Sequence, residues 1–396
     1  MKKDRPMENA QSPYDPTGLP IRLIIAGAGT GGHLFPGIAV AETVMEQMPG
    51  ARVLFVTTGR AVETTVLGQK DFETAVIPAA GLKGMGLWNK LRSMAILPRG
   101  LAAAIRILRR FAPDVVMGMG GYSSGPVMVG AKLLGIKRAI HEQNRLPGLT
   151  NRLLARMADR IYVSFADTPI GGGGEKVRFT GNPVRAEIAE CGRARRNAPA
   201  AEKKQRLSVL IIGGSQGAHR INEAVIEAVD HVDNVDDFYF IHQTGTADEQ
   251  QVRAAYAEKG ARAEVSAFLD DMAQRYRMAD IAVCRAGATT VAELAAACVP
   301  AIFIPFPHAA DNHQVANAEG MVSAGAAEMV PEHRLDGPLL AGLLARFVGA
   351  RHELVRMQKA IDTHAAAVDA APVIAEDLCA LAGKIFRRDA EINAGQ

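Results

Sequence analysis

Short runs of β-branched and large apolar residues recur through the first half of the chain, each bounded by polar or glycine-rich breaks: RLIIAG, RVLFVTT, TAVIP, DVVMGMG, KRAIHE and RIYVS. Near-continuous apolar runs of this length read as strands buried on both faces of a parallel sheet. Between them, residues 35–48, 101–111 and 125–134 carry apolar positions at helical spacing. The alternation resumes with LSVLIIG, DFYFIHQTG, AEVSAF, DIAVCR and VPAIFIP, again separated by helical stretches. Such alternation builds parallel sheets covered by helices on both faces. Residues 189–206 are charged, poor in large apolar side chains and contain Pro199, which is the composition of a linker. The pattern therefore predicts an α/β protein: a tail over 1–20, a Rossmann-like domain over 21–188, the linker, a second Rossmann-like domain with C-terminal helices over 207–386, and a tail over 387–396. The two doubly wound domains are expected to face each other across a cleft.

Composition narrows the class. At 396 residues, 48% hydrophobic and 22% charged, the chain has room for two domains, each with its own core. The four cysteines, Cys191, Cys284, Cys298 and Cys379, are far apart and form no CxxC pair, so a metal cluster or disulfide framework is not expected. The polar first twenty residues lack the apolar segment of a signal peptide and read as a disordered tail. The longest apolar stretch, residues 294–306, is too short to span a bilayer. The net charge of +3 hides an asymmetry: residues 1–180 hold 23 Lys+Arg against 13 Asp+Glu, the remainder 22 against 29. One domain is thus suited to an anionic surface, with chance clustering on solvated faces as the plain alternative.

Each predicted domain places a glycine loop directly after its first strand, GAGTGGH in the first and GGSQGAHRIN in the second, and each leads into a helix. Glycine allows close backbone approach, and a helix N-terminus offers unpaired N–H groups and positive dipole to an anion. The first loop also satisfies GxGxxG, the dinucleotide pattern. That reading needs an acidic residue about 20 residues on, at the end of the second strand. Here RVLFVTT ends in threonines, and Glu63 falls on the following helix. Hydride chemistry is not supported.

GAGTGGHLFPGIAVAE, GMGGYSSGP, HEQN, GNPVR, GGSQGA, CRAGATTVAE and DNHQVANAE occur in this order over nearly the whole chain. Together they resemble the MurG family of GT-B-fold glycosyltransferases, which move N-acetylglucosamine (GlcNAc) from UDP-GlcNAc to lipid I, giving lipid II for peptidoglycan. The chain departs from the family pattern at Ala28, where glycine is usual. The resemblance implies an inverting transferase that binds no cofactor or metal. No Asp-x-Asp cluster stands at a strand end; Asp270 and Asp271 read as helix caps. Charge on the departing diphosphate must then be met by loop N–H groups, helix dipoles and cations. Ser215 supplies a hydroxyl at the second loop, and Arg185 a planar fork of donors for phosphate, with a surface salt bridge as the alternative.

By the same resemblance, Leu269 covers the uracil through its backbone, Glu293 accepts from the ribose hydroxyls, and Ala288, Thr289, Thr290, Val291 and Ala292 form the helix start around them. Gln314 and Asn144 contact the sugar, and Thr30, Gly31 and Gly32 face the donor sugar and acceptor diphosphate. His33 is the leading candidate to take the acceptor C4 hydroxyl proton, since imidazole has a suitable pKa; equally, it could only hold the loop or a phosphate. Glu142 and His141 are second-rank bases, and Tyr122 shapes the acceptor site.

Lipid I lies in a membrane, so its enzyme must dock there. Residues 81–111 mix Leu82, Leu87, Trp88 and Leu91 with Lys83, Lys90, Arg92 and Arg99. A basic rim around apolar residues suits an anionic interface, and Trp prefers that depth. Residues 82–98 are expected to be a lipid-touching loop, with residues 101–108 a core-facing helix. The expected partners are UDP-GlcNAc, lipid I, an anionic membrane surface at the cytoplasmic face of the inner membrane, and cell-wall or division proteins. No nucleic-acid motif accompanies the basic residues. The alternatives are another GT-B enzyme, such as a UDP-GlcNAc 2-epimerase or a transferase with a soluble acceptor, and a non-catalytic sugar-nucleotide-binding scaffold.

Overall fold

The computed structural model of the chain describes residues 19–27, 31–79, 87–171, 173–197, 206–214, 217–309, 312–364 and 369–386, with backbone alone at 62, 87–96 and 362–364. The first sheet contains β1 (Arg22–Ala26), β2 (Arg52–Thr57), β3 (Glu73–Val76), β4 (Val115–Gly118), β5 (Lys137–Glu142), β6 (Arg160–Val163) and β7 (Val177–Phe179). All its pairings are parallel, in the order β3-β2-β1-β4-β5-β6-β7. Its crossovers carry α1 (Gly31–Gln47), α2 (Ala61–Gln69), α3 (Leu87–Phe111), α4 (Gly121–Leu133) and α5 (Leu149–Leu154), and α6 (Ala186–Asn197) leaves the lobe.

The second sheet contains β8 (Leu207–Ile212), β9 (Phe238–Gln243), β10 (Ala263–Ser266), β11 (Ile281–Cys284), β12 (Ala301–Phe303) and β13 (Ala327–Met329). It is also parallel, in the order β10-β9-β8-β11-β12-β13. The remaining helices are α7 (His219–His231), α8 (Glu249–Glu258), α9 (Met272–Met278), α10 (Ala288–Ala296), α11 (His313–Ser323), α12 (Gly337–Gly349), α13 (Arg351–His364) and α14 (Ala370–Leu381). The central strands are apolar on both faces, as the sequence pattern predicts. Leu23 and Ile25 of β1 enter one core, and Ile24 and Ala26 enter the other. Val209 and Ile211 of β8 are split in the same way from Leu210 and Ile212.

Three boundaries differ from expectation. The expected loop at residues 82–98 is helical from Leu87, and α3 continues through Pro98. Pro98 costs the helix one hydrogen bond and crowds the carbonyl four positions back, and α3 carries through it; the basic last turn, Arg109 and Arg110, suits the helix dipole. Second, the expected linker over 189–206 begins as α6, which packs on α9 and α10. The approach is so close that a Cβ on Gly192 would lie 1.8 Å from the Ala296 carbonyl oxygen. Third, α14 falls within the range assigned to the second domain but packs on α1 of the first lobe, where Ile374, Ala375, Leu378 and Cys379 join the Leu23–Ile25 core.

In both sheets the order reverses beside the first strand, between β1 and β4 and between β8 and β11. Strand-order reversals of this kind open a crevice at the carboxyl ends of the strands, where ligands bind in doubly wound folds. The two crevices face one another. No helix among the described residues is long and apolar enough to cross a membrane.

Candidate active site

The interlobe cleft has a volume of about 1950 Å³ and is lined by the ends of β1, β4 and β5 on one side and of β8, β9 and β11 on the other. The N-termini of α1 and α10 meet across it: Thr289 Oγ1 donates to the Gly32 carbonyl at 2.9 Å. That carbonyl would ordinarily accept from the residue four positions on, which is Pro36 and has no N–H. Thr289 therefore satisfies, from the opposite lobe, an acceptor that proline leaves open. Each helix start carries roughly half a positive charge, so their convergence favours an anion between the lobes.

Close backbone approach shapes the first-lobe wall. Gly27 has φ +116°, and a Cβ there would lie 2.2 Å from the Gly120 carbonyl and 2.4 Å from Ser124 Oγ. Ser124 Oγ ties the β1 and β4 loops together by donating to Ala26 O (2.7 Å) and Gly120 O (2.6 Å). His33, in the first turn of α1, sits against Gly120 with Nδ1 2.9 Å from Gln143 Oε1. Tyr122, at the start of α4, is 43% exposed and lines the cleft.

At the end of β5, Glu142 is buried and accepts from Asn144 N (2.9 Å), Gly148 N (3.0 Å) and Asn151 Nδ2 (2.9 Å). Its carboxylate shapes the loop into α5, a different use from the general base expected of it. His141 is fully buried and absent from the cleft wall, and its Nε2 faces the Gly181 carbonyl at 3.2 Å. Burial holds its pKa down at about 4, with the Gly181 carbonyl opposing. Asn144 is also engaged: its Oδ1 accepts from Asn317 Nδ2 of α11 at 3.2 Å, and Asn317 Oδ1 accepts from Arg145 N at 3.0 Å. Arg145 adds ion pairs to Asp167 and Glu319, so this loop fastens the lobes together.

In the second lobe, Glu293 of α10 is buried with both oxygens used. Oε1 pairs with Arg185 Nη2 at 3.1 Å, and Oε2 accepts from the Tyr276 hydroxyl at 3.0 Å. The Arg185 guanidinium lies 4.6 Å from the centre of the Phe35 ring, which belongs to α1. Arg185 is thus neither a surface salt bridge nor free for phosphate; it is a buried ion pair reaching across the cleft. Its Nε is buried, with no hydrogen-bond partner among the described residues. The Leu269 N–H donates to Gln243 Oε1 at 3.0 Å. Gln314 Oε1 accepts from Phe306 N (2.9 Å) and Ala286 N (3.2 Å).

Residues 23–163 match the glycosyltransferase family 28 N-terminal domain, and residues 208–373 match the C-terminal domain of the same family. The chain belongs to glycosyltransferase family 28. It is 44% identical over 359 residues, 90% of this chain and 97% of the relative, to the UDP-N-acetylglucosamine--N-acetylmuramyl-(pentapeptide) pyrophosphoryl-undecaprenol N-acetylglucosamine transferase of Geotalea daltonii. A similarly described transferase of Myxococcus xanthus is 44% identical over 86% of this chain and 88% of its own. Among solved structures, Acinetobacter baumannii MurG superposes with a TM-score of 0.70 at 30% identity, covering 91% of this chain and 99% of that one. UDP-GlcNAc 2-epimerase from Neisseria meningitidis, bound to UDP-GlcNAc, shares the fold at 13% identity and a TM-score of 0.61, over 91% of this chain and 99% of its own.

In this family 28 chain the cleft brings together Gly31, Gly32, His33, Tyr122, Glu142, Asn144, Arg185, Leu269, Ala288, Thr289, Thr290, Glu293 and Gln314. Val291 and Ala292, between Thr290 and Glu293 on α10, are absent from the cleft wall. Thr30 and Ser215 lie outside the described residues, as do Leu82 and Lys83. Leu87, Trp88, Lys90, Leu91 and Arg92 are placed on α3 by their backbone alone. Arg99 is exposed beside Leu97. Asp271 is the N-cap residue of α9, but its carboxylate pairs with Arg275 Nε at 2.8 Å and makes no cap hydrogen bond. Glu63 accepts from Thr58 N (3.0 Å) and Arg60 N (2.9 Å), spent on the start of α2. Sequence reasoning missed Gln143, Tyr276 and Asn317. Gln143 stood inside HEQN and Asn317 inside DNHQVANAE, near residues already singled out, whereas Tyr276 lies in none of the quoted motifs.

Proposed function

We propose that this chain is an inverting hexosyltransferase that moves GlcNAc from UDP-GlcNAc to the C4 hydroxyl of the N-acetylmuramoyl unit of lipid I, giving lipid II. The observation that carries this reading is the convergence of α1 and α10, with Thr289 bonded to Gly32, in a family 28 chain that spans nearly the full length of its relatives. The diphosphate sits between the two helix starts and the glycine loop of β8. Gly214 in that loop has φ +93° and open space where a Cβ would stand, which lets phosphate oxygens approach the backbone. The uridine end lies toward Leu269 and Glu293, and the sugar toward Asn144 and Gln314.

His33 Nε2 takes the C4 hydroxyl proton as that oxygen attacks the anomeric carbon from the face opposite UDP. The bond to the diphosphate oxygen breaks, UDP leaves, and the new linkage is β. The charge growing on UDP is met by fixed N–H dipoles, which need no reorganisation during the reaction. Ribose hydroxyls displace Arg185 or Tyr276 from Glu293, and a released Arg185 can turn its fork of donors to phosphate. The chain acts at the cytoplasmic face of the membrane, held peripherally through the exposed Leu97–Arg99 segment and the basic start of α3.

Transfer of labelled GlcNAc from UDP-GlcNAc to a short-chain lipid I analogue, with and without EDTA, tests the reaction. Disaccharide product undiminished by the chelator is expected; UDP-GlcNAc binding with no product would overturn the reading. The membrane half is tested by cosedimentation with anionic vesicles. Replacing Lys90, Arg92 and Arg99 by glutamate should abolish it, each basic residue near such a surface contributing about 1 kcal/mol.

A further inference from the structure

His33 lines the cleft, and one of its two ring nitrogens is held by protein. Nδ1 lies 2.9 Å from Gln143 Oε1, and among the described residues no partner is recorded for Nε2. Which nitrogen carries the proton decides whether the ring can act as a base toward the cleft, and Gln143 holds the answer. Its side chain is 1% exposed, and its Nε2 faces two main-chain carbonyls, Met119 O at 3.0 Å and His141 O at 3.3 Å. Carbonyl oxygens only accept, so the end of the amide that faces them must be the NH2 group. Turning the amide over would set its oxygen against both carbonyls and leave a buried NH2 facing the imidazole. The end that faces His33 is therefore the amide oxygen, also a pure acceptor, and Nδ1 must supply the proton.

We propose that Gln143 is a positioning residue that locks His33 in the Nδ1–H tautomer, leaving the Nε2 lone pair directed into the cleft as the proton acceptor. This rests on the reading of His33 as the group that deprotonates the acceptor hydroxyl. The role resembles that of a carboxylate behind a catalytic histidine, which sets tautomer and orientation, but a neutral amide adds no charge to the imidazole. Gly120 is the second half of the device. It has φ +93°, and a Cβ there would stand 3.2 Å from His33 Cε1 and 3.5 Å from Nδ1, so its bare backbone leaves the ring room to reach Gln143. Asn151 steadies the same carbonyl, donating to His141 O at 2.9 Å. The strands β4 and β5 thereby hold a side chain that belongs to α1.

The test uses the full chain labelled with 15N-histidine. The chain has ten histidines, so the His33 signals are identified by their loss in His33→Gln. In the wild-type chain near neutral pH, the 15N shifts should report a protonated Nδ1 and an unprotonated Nε2. Gln143→Met keeps the length of the side chain and removes the acceptor. It should populate the other tautomer and lower kcat for transfer roughly 10- to 100-fold, part of what a positioned base supplies. KM for UDP-GlcNAc should stay within about twofold, since the uridine pocket is in the other lobe. Gln143→Glu as the neutral acid, its O–H donating to Met119 O in place of the amide NH2, retains an oxygen facing Nδ1 and should restore the Nδ1–H signature and most of kcat. A wild-type His33 protonated on Nε2 would overturn the proposal, and so would a Gln143→Met chain with unchanged tautomer and unchanged kcat. If the wild-type chain transfers nothing to lipid I, the acceptor reading fails instead, and the 15N spectrum still decides the tautomer.

Discussion

Glu293 and Arg185 hold each other at a depth where each side chain is only 8% exposed. Two charges so far from water are stable as a pair and costly apart. Replacing Glu293 by alanine leaves a buried guanidinium with one less partner, and the Tyr276 hydroxyl without its acceptor. The expected loss is about 3–5 kcal/mol of stability, read in denaturant unfolding, together with a raised KM for UDP-GlcNAc. The double variant Arg185→Met, Glu293→Leu separates the two effects: it should recover most of the stability and none of the donor affinity. Recovery of both would show that the carboxylate never meets the nucleotide. The motifs GNPVR and CRAGATTVAE mark both residues, but 108 positions separate them, and no local pattern can show that one is the other's counter-ion. A separation of 257 positions hides Thr289 from Gly32 in the same way.

At the scale of elements, legibility follows length and periodicity. Strands β1, β2, β4, β5, β8, β9 and β11, which build the sheet centres and end at the cleft, stand out as apolar runs. β7 and β13 have three residues each at sheet edges, too few to set up a period, and sequence reasoning passed over both. Helix starts are read late where glycine opens them: α1 begins at Gly31 and α4 at Gly121, each four positions before the apolar stripe. What no pattern reveals is the polar packing beneath the strands. His242 of β9 is wholly buried, with Nδ1 3.0 Å from the Tyr256 hydroxyl and Nε2 3.0 Å from Asn222 Oδ1. Asn222 Nδ2 donates to Thr244 O and Asp248, so its oxygen accepts and His242 Nε2 donates; the ring is neutral and satisfied on both sides. Burial lowers the His242 pKa to about 3, as it lowers that of His141 to about 4. Unfolding restores the ordinary value near 6.5 for both. Below that pH the unfolded chain binds protons that the folded chain refuses. The stability these residues contribute is thus complete above about pH 6.5 and lost progressively as pH falls toward 4, by about 1.4 kcal/mol per pH unit for each histidine. Urea midpoints between pH 7 and 4.5 should show this slope, and His242→Gln should remove about half of it.

The whole molecule is two sheets whose crevices face each other, and that much follows from the repeated strand–helix order and the paired glycine loops. The return of α14 to the first lobe does not. It depends on how Ile374 and Leu378 fit behind α1, and on Asp377, which accepts from the Tyr162 hydroxyl (2.8 Å) and pairs with Arg160 (3.2 Å) and Arg178 (3.0 Å). Chain order alone would leave this helix with the lobe that precedes it. Because α13 packs with α11 and α12 while α14 packs on α1, the C-terminal segment straps one lobe to the other behind the cleft. Leu378 has no exposed surface. Leu378→Ala removes its side chain from the first-lobe core at a cost of about 2–5 kcal/mol. The second lobe loses no contact of its own. Unfolding followed by far-ultraviolet circular dichroism should therefore split into two steps, an earlier one for the first lobe and an unshifted one for the second. UDP binding by calorimetry should weaken but persist after the first step begins, because, of the proposed nucleotide contacts, only the start of α1 belongs to the first lobe. Transfer to lipid I should fail at that same first step, since His33 stands on the helix that α14 supports. A single transition moved as a whole, with UDP binding and transfer lost together, would mean that the lobes melt as one body and that the strap is part of a common core.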